Sequence, residues 1–188
     1  MRIVAGQYGG RRLIVPKGRD IRPTSDKVRG AIFNSLQNIM DFDKVRVLDA
    51  FCGTGALGLE ALSRGAQHCT FIDKAKASLD LAKQNSRALD AESYVGFKLG
   101  DASKVQFGDD SLFDLVFLDP PYEQGLIDEV LVHLTRCLNG RCVLNDSAIV
   151  VCESEKTYDY QGDGLELLKC KVYGDSKVTT LRYRKSVA

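Results

Sequence analysis

Between residues 45 and 153, apolar strand-like runs alternate with amphipathic helical segments. The strand-like runs are residues 45–51, 69–73, 94–99, 112–118 and 148–153, and the helical segments are residues 56–64, 76–88 and 126–138. Such alternation predicts an α/β fold, in which a parallel sheet carries helices on both faces. Residues 165–173 and 178–184 are strand-like with no helix between them, so we expect a final antiparallel strand.

The N-terminal part of the chain has a different pattern. Residues 2–5 and 11–15 flank the pair Gly9-Gly10, which predicts a β-hairpin. A helix is expected after this hairpin. We therefore predict an extension formed by residues 1–39, followed by one α/β domain formed by residues 40–188.

Charge is distributed unevenly along the chain, although the net charge is only +1. The first 30 residues hold eight basic and two acidic side chains, a net charge of +6, and the other 158 residues have a net charge of −5. A basic end on an acidic body is typical of an arm that binds a polyanion such as nucleic acid. The alternative is a solvated end that only aids solubility.

The composition is that of an ordinary globular protein, with 44% hydrophobic and 27% charged residues. No apolar run approaches the roughly 18 residues that indicate a membrane span, and the first residues lack the apolar core of a signal peptide. We therefore expect a cytoplasmic protein. None of the six cysteines is spaced as CxxC, so we expect reduced, buried cysteines and no bound metal.

A glycine turn follows the strand-like run that contains Asp49. Gly53, Gly55 and Gly58 satisfy the pattern GxGxxG, and Asp73 follows Gly53 by 20 residues, as in dinucleotide-binding sheets. The same turn accommodates S-adenosylmethionine, whose ammonium group the carboxylate of Asp49 would bind. Beside a pyrophosphate this carboxylate would be repulsive, which favours S-adenosylmethionine over a nicotinamide dinucleotide.

Three acidic residues lie at or after the ends of consecutive predicted strands: Asp49, Asp73 and Asp101. The carboxyl ends of parallel strands form the crevice in which open sheets bind ligands. Asp73 can accept hydrogen bonds from both ribose hydroxyls, and Asp101 can accept one from the adenine amine. Each residue alone is as easily a helix cap or a solvated loop residue, but the three in register predict one cofactor crevice.

A second informative turn follows the strand-like run of residues 112–118, and its sequence is Asp119-Pro120-Pro121-Tyr122. The prolines lack N–H donors and fix φ, so the turn is stiff and its carbonyls are available as acceptors. Asp119 and the Pro120 carbonyl would accept the two hydrogens of an amine, while Tyr122 stacks on the attached base. This predicts methylation of an exocyclic amine, on guanine or on adenine.

Four segments closely resemble the RsmD family of methyltransferases: residues 22–29, 31–34, 47–62 and 119–122. The resemblance extends over nearly the whole chain. It implies a seven-stranded, Rossmann-like class I methyltransferase sheet whose last strand is antiparallel. It also implies S-adenosylmethionine-dependent methylation of the N2 amine of a guanine in 16S rRNA.

The motifs, the charge pattern and the resemblance together predict three groups of site residues. The cofactor group is Asp49, Phe51, Gly53, Thr54, Gly55, Asp73, Lys74, Asp101 and Ala102. The catalytic group is Asp119, Pro120, Pro121 and Tyr122. The RNA-binding group is Arg2, Arg11, Arg12, Arg22, Thr24, Lys27 and Arg29.

The expected partner is 16S rRNA within a 30S subunit or an assembly intermediate, bound by a monomer of this chain without a membrane or a metal. Three other functions are compatible with parts of the sequence. They are an N6-adenine methyltransferase acting on RNA or DNA, an NAD-dependent dehydrogenase, and an inactive RNA-binding chaperone of ribosome assembly.

Overall fold

The computed structural model describes residues 1–16, 26–108, 112–121, 125–136, 142–162 and 164–184. The strands are β1 (Arg46–Ala50), β2 (His68–Asp73), β3 (Val95–Leu99), β4 (Phe113–Leu118), β5 (Leu144–Glu155), β6 (Leu165–Tyr173) and β7 (Ser176–Tyr183). The helices are α1 (Asp26–Leu36), α2 (Ala56–Ser63), α3 (Lys76–Ala88) and α4 (Leu126–Thr135), with a 3₁₀ turn at Glu92–Tyr94.

All seven strands belong to one sheet, in the order β3-β2-β1-β4-β5-β7-β6. Every pair of neighbouring strands within the group β1 to β5 is parallel. Strand β7 is antiparallel to both β5 and β6. The predicted α/β fold, with seven strands and an antiparallel last strand, is therefore confirmed. Because the parallel strands end at one edge of the sheet, the turns that follow β1 to β5 lie together there.

The two faces of the sheet carry separate apolar cores. On one face, which we call the α1 face, residues such as Val47, Phe71 and Phe117 pack with α1, α2 and α3. On the other, the α4 face, residues such as Leu48 and Val116 pack with α4. Successive side chains on a strand point to opposite faces, and a sheet buried on both faces needs apolar residues at both positions. This explains the nearly continuous apolar runs of the central strands.

Helix α2 is buried at all eight of its positions, and it approaches the sheet closely at Gly58. A Cβ atom on Gly58 would lie 2.4 Å from Cys69 Sγ and 2.5 Å from a ring carbon of Phe71. Only a residue without a side chain fits at this distance. The third glycine of the turn motif therefore serves the packing of α2 on β2.

We expect Gly58→Ala to destabilise the protein by about 1–3 kcal/mol, since overpacking forces the helix away from β2. Gly30→Ala is the matched control, because Gly30 also lies within a helix and its added Cβ would meet only Val4 Cγ1, at 3.5 Å. It should stabilise the protein by up to about 1 kcal/mol through helix propensity. Urea unfolding of both variants tests this, and equal effects would contradict the packing role of Gly58.

The N-terminal residues form a reversal that packs on α2 rather than a full hairpin. One antiparallel bridge joins Arg2 and Arg12. The backbone N–H groups of Val4 and Ala5 donate to the carboxylate of Glu60, at 2.6 and 3.1 Å, instead of to a partner strand. Backbone N–H groups of Ile3, Leu13 and Gly10 also donate across the two limbs, at 2.9–3.2 Å. The predicted hairpin is therefore present in a short form, and beyond Ile3 a side chain of α2 takes the hydrogen bonds that a longer ladder would use.

Glu60 is a fully buried carboxylate that joins the N-terminal reversal to two helices. Besides the two backbone donors, it pairs with Arg64 at 2.9 Å and with Arg29 at 3.6 Å. Both guanidinium groups are also buried. Ile3 and Leu13 of the reversal belong to the same apolar core as α1 and α2. The N-terminal segment is thus an integral part of the α1 face.

The cysteines are only partly as predicted. Cys52, Cys69 and Cys152 are free and buried, but Cys170 is free and exposed, and Cys142 is disulfide-bonded. The expectation that all six are reduced and buried was therefore wrong for Cys142 and Cys170. Among the residues that the structure describes, no cluster of His, Cys, Asp and Glu could hold a metal ion. In the same ranges, no helix combines the length and apolarity that crossing a bilayer requires.

Candidate active site

A crevice opens at the carboxyl ends of β1, β2 and β3. Its lining includes five residues of the predicted cofactor group: Phe51, Asp73, Lys74, Asp101 and Ala102. Gly100 and Leu126, which no sequence motif indicated, complete the lining. Leu126 is the first residue of α4, so the start of the helix on the α4 face forms part of the crevice wall.

Asp73 and Asp101 present carboxylates that are held by local backbone donors. Asp73 accepts hydrogen bonds from the N–H groups of Gly53 at 3.1 Å and Ala75 at 2.8 Å. Asp101 accepts from the N–H and hydroxyl of Ser103, at 3.0 and 2.8 Å. These bonds from Ser103 lower the pKa of Asp101 below its ordinary value. Because a carboxylate can accept about four hydrogen bonds, both residues remain competent to bind hydroxyl or amine donors.

Asp49 lies beneath the turn rather than on the crevice surface. It is 2% exposed, and its carboxylate accepts a hydrogen bond from the N–H of Gly58 at 2.9 Å. Burial raises the pKa of Asp49 well above its ordinary value, and the nearby carboxylates of Asp119 and Asp73 raise it further. A cationic ligand group would favour the ionised form of this carboxylate.

The glycine turn itself is tightly constrained. Phe51, Gly53 and Gly55 have positive φ angles of 67°, 52° and 77°. A Cβ on Gly55 would lie 3.1 Å from the Cβ of Ala82 in α3, so this glycine permits the close packing of the turn on that helix. Thr54 also faces away from the crevice, since its hydroxyl contacts Met1 Sδ at 3.5 Å. Gly55 and Thr54 therefore shape the turn without lining the crevice.

Asn85 of α3 joins the turn to the N-terminal segment, a role that no sequence motif indicated. Its amide nitrogen donates to the carbonyls of Thr54 at 2.8 Å and Ile14 at 3.0 Å. Its amide oxygen accepts from the N–H of Ile14 at 2.7 Å. The sequence signal for this role is that Asn85 lies three residues after Ala82 and four before Leu89, so a polar side chain falls on the apolar, buried face of the helix.

The Asp-Pro-Pro corner lies next to the glycine turn. In the register of β1 and β4, Ala50 pairs with Leu118, so the residues that follow them, Phe51 and Asp119, are neighbours. The effect of Asp119 on the pKa of Asp49 also reflects their proximity. Asp119 is half-buried, Pro120 is buried and Pro121 is exposed. The fourth predicted residue, Tyr122, lies outside the described residues.

The predicted RNA-binding residues separate into exposed and engaged side chains. Arg2, Arg12 and Lys27 are exposed, and Arg2 lies 3.6 Å from Asp26. Two further predicted residues, Arg22 and Thr24, lie outside the described residues. The exposed side chains are available to a polyanion.

The prediction that Arg29 binds RNA was wrong, because its side chain is 0% exposed and cannot reach RNA. It pairs with Asp26 at 2.8 Å and with Glu60, and it donates to the Arg2 carbonyl. Arg11 is partly exposed, but its guanidinium donates to the carbonyls of Ala88 and Leu89 and pairs with Asp90. Arg11 thus caps the carboxyl end of α3.

Comparisons with known proteins decide the family. The family model described as Conserved hypothetical protein 95 matches residues 1–182. The ribosomal RNA small subunit methyltransferase D of Escherichia coli is 36% identical, over 82% of this chain and 75% of its own length. The chain belongs to the RsmD family. The predicted resemblance is therefore confirmed, and this RsmD-family protein is a methyltransferase.

Two further relatives support the same assignment along the full chain. The Bacillus subtilis protein YlbH is 32% identical, over 98% of this RsmD-family chain and 100% of its own length. The solved structure of the Escherichia coli protein YhhF superposes with a TM-score of 0.84, at 32% identity and 99% coverage of both chains. Both matches therefore extend over nearly the whole chain.

Proposed function

We propose that this RsmD-family enzyme methylates the N2 amine of a guanine in the 16S rRNA of the small ribosomal subunit, with S-adenosylmethionine as the donor. The observation that carries the proposal is the register of β1 and β4. Phe51, which lines the crevice, and Asp119 of the Asp-Pro-Pro corner directly follow the paired residues Ala50 and Leu118, which supports a methyl donor and an amine held side by side. Small-subunit rRNA is the substrate class named for the Escherichia coli relative.

The residues of the crevice fit S-adenosylmethionine. Asp73 would accept hydrogen bonds from the ribose hydroxyls, Asp101 would accept one from the adenine amine, and Phe51 offers an aromatic surface. Asp49 lies beneath the glycine turn, and the ammonium group of the methionine part would lower its raised pKa and pair with the ionised carboxylate. Lys74 and Ala102 complete the wall. Bound there, the cofactor supplies a methyl group on a sulfonium, which is already activated for transfer.

The contribution of the Asp-Pro-Pro-Tyr corner is to hold the amine. The lone pair of the amine is delocalised into the base, so the nitrogen is a weak nucleophile that must be closely aligned with the methyl group. Asp119 and the Pro120 carbonyl accept the two amine hydrogens and aim the lone pair at the crevice. These hydrogen bonds strengthen as positive charge develops on the nitrogen. Tyr122 stacks on the base, which must leave its stack or lie in an irregular RNA loop.

The exposed basic residues of the N-terminal part would contact RNA phosphates. We expect the double variant Arg12→Ala, Lys27→Ala to weaken rRNA binding. It should also reduce the slope of log K against log salt by about 0.7–0.9 for each lost contact, because fewer counterions are released. The matched control is Lys171→Ala with Arg184→Ala, one residue in β6 and one directly after β7. Fluorescence anisotropy over a salt series measures both, and equal slopes in the two double variants would remove the arm from the RNA interface.

The working form of the enzyme is a cytoplasmic monomer that acts on rRNA within a 30S subunit or an assembly intermediate. A protein of 188 residues has a limited surface with which to identify an RNA fold, and a particle offers more. Transfer of a labelled methyl group to free 16S rRNA and to 30S subunits, side by side, tests this. Equal activity on the two substrates would contradict the preference for a particle.

The same labelled products identify the target chemistry. Nuclease digestion and mass spectrometry of the nucleosides should give N2-methylguanosine. N6-methyladenosine would overturn the guanine assignment, and it is the result that an adenine methyltransferase predicts. Calorimetry should show binding of S-adenosylhomocysteine in preference to a nicotinamide dinucleotide, and the reverse preference would overturn the cofactor assignment.

A further inference from the structure

A second carboxylate, Glu153, lies beside Asp119 at the carboxyl ends of the central strands. Leu118, which precedes Asp119, pairs with Cys152, which precedes Glu153, in the parallel register of β4 and β5. Neighbouring strands lie about 4.8 Å apart. The two acidic residues therefore occupy adjacent positions at the edge of the sheet where the amine is held.

Strand alternation places Glu153 on the α1 face. Val151, two residues earlier, belongs to the core of that face, whereas Cys152 belongs to the core of the α4 face. Val178, which is the partner of Glu153 in the pairing of β5 and β7, is also part of the α1-face core. Opposite residues on paired strands share a face, so both neighbours give the same assignment. Glu153 is only 7% exposed.

Asp119 approaches the same face. Phe117, two residues before it, packs in the α1-face core, and Asp49, whose pKa Asp119 raises, bonds to Gly58 of α2 on that face. Asp119 and Glu153 are therefore two acceptors on one side of the corner. A planar base held by Asp119 would therefore have the carboxylate of Glu153 on the adjacent strand.

The positions next to the reacting amine differ between guanine and adenine. In guanine the N2 amine adjoins N1–H, which is a donor, whereas in adenine the N6 amine adjoins an N1 that carries only a lone pair. An ionised carboxylate accepts hydrogen bonds and cannot donate them. Beside the amine it therefore favours guanine and repels adenine. Enzymes that act on extruded bases commonly identify them along this Watson–Crick edge.

We propose that Glu153 is a specificity residue, which selects guanine by accepting a hydrogen bond from N1–H while Asp119 and Pro120 hold the amine. This inference rests on the proposed function. It assigns the choice between guanine and adenine to the residue at the end of β5. The Asp-Pro-Pro-Tyr corner alone identifies only an amine on a flat ring. The carboxylate on the neighbouring strand supplies the second contact that the choice needs.

The test replaces the methylated guanine of the substrate rRNA with 2-aminopurine, which keeps the amine but has a bare N1 acceptor. The wild-type enzyme should prefer guanine by about 10- to 100-fold in kcat/KM, because in 2-aminopurine the carboxylate of Glu153 would face the lone pair of N1. Glu153→Gln should narrow this preference at least about tenfold, since its amide can donate to the bare N1. Glu155→Gln is the matched control, an exposed glutamate two residues further along β5.

Affinity for S-adenosylhomocysteine, measured by calorimetry, should be unchanged in both variants. A guanine preference in Glu153→Gln that equals the wild-type preference would overturn the proposal, even if the overall rate falls. Should Glu153→Gln fail to fold, the wild-type enzyme still decides, because equal methylation of the two bases excludes a carboxylate at N1. Failure of the proposed function gives a different result, in which the wild-type enzyme forms no N2-methylguanosine at all.

Discussion

Asp119→Ala is expected to lower the rate of methyl transfer by at least about 100-fold, the usual effect of removing one acceptor or donor that acts in the transition state. Alanine leaves the Pro120 carbonyl as the one assigned acceptor for the amine hydrogens, so the amine is no longer fixed with its lone pair toward the crevice. The measurement is single-turnover transfer of a labelled methyl group to rRNA. Asp119→Asn keeps one acceptor oxygen and should retain an intermediate rate.

The crevice at the carboxyl ends of β1, β2 and β3 provides the control for this prediction. Asp119 is not among the residues that line it, so the affinity of Asp119→Ala for S-adenosylhomocysteine should match that of the wild-type protein. Affinity for RNA should also be largely unchanged. Wild-type transfer rates in Asp119→Ala would contradict the role of the corner, whereas a combined loss of transfer and cofactor binding would indicate a wider disturbance of the turn.

The largest expected effect on stability is that of Glu60→Gln, at about 3–5 kcal/mol, because breaking a buried ion pair leaves an uncompensated charge. Glu60 holds the buried guanidinium groups of Arg29 and Arg64 together with two backbone donors. The glutamine amide supplies one acceptor oxygen where two are used, and its NH₂ group would face donors. Urea unfolding measures the loss.

Glu166→Gln is the matched control for Glu60→Gln. Glu166 also pairs with an arginine, Arg184 at 2.9 Å, but both side chains are about half exposed. Exposed pairs typically contribute only about 0–1 kcal/mol, so this variant should be close to the wild type. A similar small effect for Glu60→Gln would show that the N-terminal reversal is held by its apolar residues rather than by this carboxylate.

Local patterns were sufficient to predict most of the secondary structure. Helix α3 (Lys76–Ala88) and strand β6 (Leu165–Tyr173) begin and end at the predicted residues, because amphipathic spacing and a turn delimit each of them. Strand β5 begins at Leu144, four residues earlier than predicted. This part pairs with β4 through a register shift between Phe113 and Leu115, and such an irregularity depends on the partner strand.

The position of a residue in the crevice was predictable where that residue lies at the end of its own strand. Asp73 and Asp101 line the crevice as expected, since the ends of parallel strands converge. Leu126 and Asn85 could not be identified, because their roles depend on how helices fold back against the turns. Arg29 was assigned to RNA from its charge, but its burial depends on Glu60, which lies 31 residues away in the sequence.

The contacts of Asn85 restrict how the enzyme can be redesigned. A single amide holds Ile14, close to the basic residues of the N-terminus, and Thr54, within the glycine turn. The N-terminal segment is consequently unsuited to exchange between homologues as a self-contained targeting module. A chimera with a foreign N-terminus would have to preserve the backbone path at Ile14, or the glycine turn would deform along with the N-terminal reversal.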